Sequence, residues 1–212
     1  EHLDKEMIKG ANPFKVLSSG KEYFLGLTSC LFASILISSI GVTLFDQSFN
    51  YYIKDVFDFP PSVNGNIKAL VGVFALVLNS FVMKRRAGLR GETEAKVLPF
   101  VSLLMAVLAV VVRKTETASL FMRFSLVWFA LNTMLIPLQQ NLVMSYKTDV
   151  ESGNQLSGLY NALLMLGKIF GALGSSFVYS YLPEASFSVS GVLLMLSFVL
   201  VILQSRKRAT VA

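Results

Sequence analysis

The chain has 212 residues, 54% of them apolar and only 15% charged, with a mean hydropathy of +0.61. Soluble domains carry roughly 25% charged residues, so this composition excludes an ordinary soluble enzyme, and its hydrophobicity excludes intrinsic disorder. A single cysteine, Cys30, rules out a disulfide scaffold, and a lone histidine, His2, leaves no Cys/His set for a metal. The net charge of +6 sits at the ends of apolar runs rather than on one polar face, which reads as membrane topology and not as a nucleic-acid surface.

Residues 1–23, EHLDKEMIKGANPFKVLSSGKEY, are polar and basic, with neither an initiating Met nor the apolar core of a signal peptide. They are expected to be a cytoplasmic linker, and the chain either a processed one or the second half of something longer. A transmembrane bundle over residues 24–204 follows, then a basic cytoplasmic tail over 205–212. Six apolar segments make up the bundle: Phe24 to about Phe49, Val63–Met83, Val97–Val112, Ser119 to about Gln139, Leu156–Leu182 and Ser186–Leu203. A hydrocarbon core ~30 Å thick needs ~20 helical residues, and these continuous runs exceed the ~11 residues of a barrel strand. The prediction is all-α, with six spans. Sorting Lys and Arg by side places thirteen in the N-terminal tail, second loop, fourth loop and C-terminal tail, so both termini are expected in the cytoplasm.

Polar residues inside the spans mark candidate pathway positions, because polar groups in hydrocarbon are costly unless they face protein or water. In the first span Ser39, Thr43, Asp46 and Asn50 share one helical face, with Gln47 beside it. Asp46 reads either as a substrate or proton contact or as a gate, cap or interface group. In the second span Lys68 reads as an interface anchor, as does Arg123 in the fourth. The fourth span also carries Ser125, Trp128, Asn132 and Gln139 on roughly one face, with Pro137 expected to kink its cytoplasmic end. Trp128 reads as an aromatic wall for a ligand or as a packing indole. In the fifth span Ser157, Asn161, Lys168, Ser175 and Tyr179 form a stripe, filled in by Met165 and Ala172. Lys168 lies ~18 Å in from Leu156, either as a cavity charge or as a structural or snorkelling lysine. Gly167, Gly171 and Gly174 on the adjoining face form a small-residue strip for close helix packing. Between the second and third spans the loop residues Lys84, Arg85, Arg86 and Arg90 suit attraction to anionic lipid. There is no GxxxxGK[ST] phosphate loop and no Ser/His/Asp set, so neither ATP-driven work nor enzymatic catalysis is expected, and no cofactor or metal.

Four stretches, in order, carry a family resemblance: NPFKVL at Asn12–Leu17, FNYYIKDVF at Phe49–Phe57, KRRAGLRG at Lys84–Gly91 and GLYNALLMLGKIFGALGSS at Gly158–Ser176. From about Asn12 the chain resembles the C-terminal six-helix half of a major facilitator superfamily transporter, of the drug-efflux and tetracycline-efflux-like branches. The resemblance implies two inverted three-helix repeats, about Phe24–Val112 and Ser119–Leu203. It implies first, second, fourth and fifth spans that border a cavity, with the aliphatic third and sixth facing lipid. It also implies a missing N-terminal six-helix half as partner, a charge-relay latch in the basic loop, and alternating access in the plasma or inner membrane. Proton-coupled efflux of drug-like compounds is the expected function. Uptake of an anionic metabolite with Lys168 as counter-charge is the alternative, and a non-transporting six-span assembly module is the alternative of another class.

Overall fold

A computed structural model of the chain describes residues 26, 28–85 and 92–211, and among them only helices, turns and loops occur. The helices are α1 (Ser29–Asp55), α2 (Pro61–Arg85), α3 (Glu92–Arg113), α4 (Ala118–Met144), α5 (Val150–Tyr181) and α6 (Ala185–Val211). Five of them, α1 and α3 to α6, are long and apolar enough to cross a membrane, and α2 contributes a shorter apolar stretch, Pro61–Val77. The molecule is thus an α-helical, multi-pass membrane protein. The 1–23 linker lies outside the described residues.

The boundaries have local causes. The first helix starts later and ends later than its hydropathy suggests, because the aromatic segment FNYY continues the helix to Asp55. The chain then reverses through Asp58 at φ 51°, with the Phe59 amide donating to the Ile53 carbonyl at 3.0 Å. Pro61 opens α2, where its missing N–H is no loss and its fixed φ suits the first turn. The fifth helix begins at a capping box: the Ser152 amide donates to Asp149 Oδ1 at 2.7 Å, and the Asp149 amide donates to Ser152 Oγ at 3.1 Å. α4 runs through Pro137 as continuous helix to Met144. Beside it Tyr160 of α5 donates its hydroxyl to the Ile136 carbonyl at 3.1 Å. The helix α6 continues past 205 to Val211 and carries Arg206 and Lys207 on its last turns.

Two helices form the middle of the bundle. α1 packs on α5 and α6, and α4 packs on α3 and α2, while α3 and α6 pack on each other behind them. α1 also touches α2, and α4 touches α5 and α1, so α5, α1, α4 and α2 share the opposite face. The outward sides of α3 and α6 are apolar, with Phe100, Val107, Val192 and Val199 exposed. Their inner sides depart from the aliphatic expectation. Ser186, Ser190, Ser197 and Gln204 of α6 are buried, and Ser190 and Ser197 donate to the Gly41 and Ser34 carbonyls of α1 at 2.7 and 3.1 Å. Small residues let the backbones close up and short hydroxyls bond across the gap.

Candidate functional site

Asp46 of α1 and Lys68 of α2 form an ion pair. Asp46 lies nine residues before the end of α1 and Lys68 seven residues after the start of α2. In antiparallel helices rising ~1.5 Å per residue, both groups sit ~10–14 Å below the α1–α2 loop. Each is about one-third exposed: 35% for Asp46 and 36% for Lys68. A lone charge at this depth costs several kcal/mol, and pairing offsets that cost. Lys68 Nζ also lies 4.1 Å from the centroid of the Phe129 ring and 5.9 Å from that of Phe49, within reach of the negative ring faces.

Each partner of the pair has an amide residue one helical turn away. Asn50 is one turn beyond Asp46 towards the loop, and Asn64 is one turn beyond Lys68 in the same direction. Asn50 and Asn64 each carry a buried side-chain Oδ1 without a hydrogen-bond partner, and so does Asn132 of α4. Gln47 is half-buried next to Asp46. The expected stripe of α1 is therefore divided along its length. Asp46 faces α2, whereas Ser39 and Thr43 pack against α5, with Ser39 Oγ donating to the Leu164 carbonyl at 2.8 Å.

On α5 the structure separates residues that spacing had grouped. Asn161 and Lys168 are exposed, and Lys168 forms no ion pair among the described residues. Ser175 is fully buried in line with Gly167 and Gly171, and its hydroxyl donates to the Ala172 carbonyl at 2.8 Å within its own helix. Seven-residue steps on a 3.6-residue helix rotate ~20° each time, and over two steps Ser175 has turned to the packed face. Tyr179 donates to Asp55 Oδ2 at 3.2 Å, joining α5 to α1 near the loop.

Trp128 is no ligand wall. It is fully buried, stacked on Phe45 with centroids 3.7 Å apart, and its indole N–H donates to the Met105 carbonyl of α3 at 3.1 Å. Lys68 likewise departs from its expected role as an interface anchor, because its ammonium turns to Asp46 and Phe129. Of the basic loop, Arg86 and Arg90 lie outside the described residues, as do the side chains of Lys84 and Arg85 at the end of α2. The packing residues sit as the small-residue pattern implies, with one exception. A Cβ at Gly167 would stand 2.5 Å from Ser39 Cβ, and one at Gly171 2.7 Å from the Ile40 carbonyl oxygen, whereas Gly174 has nothing nearer than 4.0 Å.

Sequence reasoning missed the pairing of Asp46 with Lys68 and the two aromatics beside it. The Asp46–Lys68 pairing could have been found by comparing depth from the shared loop, since both charges lie at similar distances from it. Phe129 and Phe49 gave no signal, because aromatics at helical spacing are ordinary core residues. Gln139, on the polar face of α4, donates to Ser38 Oγ at 2.8 Å and links α4 to α1. Among the described residues no group of three or more His, Cys, Asp or Glu side chains converges on one point. No family model matches the chain, and no curated protein or solved structure matches it.

Proposed function

We propose that the chain is the C-terminal half of a secondary transporter of the major facilitator type, moving a small molecule by alternating access rather than performing catalysis. The observation that carries this reading is Lys168. It lies 18 residues from the start of α5 and 13 from its end, so ~27 Å and ~20 Å from the two helix ends, and its side chain is exposed. A lysine there cannot reach either interface comfortably and is not stable against acyl chains, so this face of α5 meets water or protein. Asn161 is exposed on the same helix, in contrast to the apolar outward sides of α3 and α6.

The packing scheme adds support. Exchanging α1 with α4, α2 with α5 and α3 with α6 turns the α1–α5 contact into α4–α2 and α1–α6 into α4–α3, and leaves α3–α6 unchanged. That is the relation two inverted three-helix repeats would have. In this reading α5, α1, α4 and α2 border a cavity completed by a second six-helix bundle. Both termini of the chain are cytoplasmic, in the plasma or inner membrane, and the α1–α2 loop is external. Proton-coupled efflux of drug-like compounds is the direction that the family resemblance implies.

The test is solvent access in membranes. With Cys30 replaced, Lys168→Cys is expected to react with a membrane-impermeant maleimide at least tenfold faster than Val199→Cys on the outward side of α6. Equal, slow labelling at both positions refutes the reading.

A further inference from the structure

The Lys68 ammonium lies among groups that offer acceptors and ring faces. Asp46 supplies a carboxylate, and one helical turn towards the loop Asn50 (from Asp46) and Asn64 (from Lys68) each carry a buried amide oxygen without a hydrogen-bond partner. Two aromatic faces complete the surroundings, Phe129 at 4.1 Å and Phe49 at 5.9 Å from Lys68 Nζ. Carboxylate, amide oxygens and ring faces together form the recognition chemistry of an organic ammonium, with cation–π attraction separating it from an inorganic cation, which favours oxygen alone. Lys68 is a primary ammonium on a flexible stem, about one-third exposed, and it engages only part of this set.

We propose that this is a cation site occupied by a tethered placeholder, and that a small organic ammonium ligand displaces Lys68 from Asp46 and Phe129 and takes up the free Asn50 and Asn64 oxygens. This rests on the transport reading above and deepens it by naming the substrate class. A tethered lysine competes at high effective concentration, so the apparent affinity of the free ligand is reduced by the fraction of time the site is filled. Displacement also frees α2 from its charge contact with α1, which couples ligand entry to helix movement.

The experiment is calorimetric titration of the detergent-purified protein with benzylammonium chloride, with sodium chloride at matched ionic strength as the control. Lys68→Gln removes the ammonium while leaving Asp46 a hydrogen-bond donor, and is expected to tighten benzylammonium binding tenfold or more. Asp46→Asn is expected to abolish binding, and Phe129→Leu in the Lys68→Gln background to weaken it several-fold. Unchanged affinity in folded Lys68→Gln overturns the proposal, as does sodium binding as well as benzylammonium does. Should Lys68→Gln fail to fold, thermal unfolding of the unmodified protein decides. Saturating benzylammonium raises the midpoint if the proposal holds, and no shift that sodium chloride does not match overturns it. Failure of these titrations with rapid labelling of Lys168→Cys removes the substrate class and leaves the transport reading standing. The converse pattern removes transport and keeps the site.

Discussion

Three glycines one helical turn apart on α5 differ in what surrounds them. At Gly171 an added methyl would meet the Ile40 carbonyl oxygen and Thr43 Cβ, both at 2.7 Å, and the carbonyl cannot swing aside without moving α1. Overpacking of this kind costs ~1–3 kcal/mol. Gly174 has only Leu44 Cδ1 nearby, at 4.0 Å, and a mid-helix Gly→Ala change there recovers up to ~1 kcal/mol of helix propensity. Gly171→Ala is therefore expected to lower the thermal unfolding midpoint in detergent and Gly174→Ala to leave it unchanged or raise it. The spacing of the strip was legible in the sequence. Which glycines need to be glycine depends on where α1 crosses, and that is a property of two helices. The same holds for Lys68: its charge was visible, but its partner comes from a helix 22 residues away in sequence.

At the scale of a single helix, α5 depends on its first turn. The Asp149 carboxyl titrates below its ordinary value of 3.8, first because the Ser152 backbone amide donates to it and then through the Ser152 side chain. A depressed folded value means the cap stabilises the helix above the ordinary aspartate range, and the contribution is lost as pH falls through the lowered value. Asp149→Ala is expected to speed amide exchange at Ser152 and Gly153 at neutral pH, with the difference from the unmodified protein shrinking under strong acid. Equal exchange at neutral pH would count against the cap. The motif was readable as a short polar stretch before an apolar run. The inward serines of α6 were not, because Ser190 and Ser197 lie within a segment whose average is aliphatic, and averaging hides a seven-residue polar repeat.

For the molecule as a whole, the distribution of basic residues and the order of the helices make a joint prediction about sidedness. A cysteine at Glu184, in the short connection before α6, is expected to label from outside intact cells, and one at Thr148, before α5, only after permeabilisation. Labelling of both from one side would break the alternation that six spans require. The tertiary arrangement adds that α3 and α6 form the back of the bundle, leaving the α5, α1, α4 and α2 face to carry Lys168, Asp46, Asn132 and Lys68.

Hydropathy and charge alone decided that the chain is helical, that it is built for a bilayer and where its segments fall to within several residues, because burying a backbone in hydrocarbon forces each segment to satisfy its own hydrogen bonds. Partnership between segments needed the fold. Asp46 with Lys68, Trp128 with Phe45 and Met105, and Ser175 turned inward beside Gly171 all depend on crossing points and rotations of a few tens of degrees, which no single helix encodes.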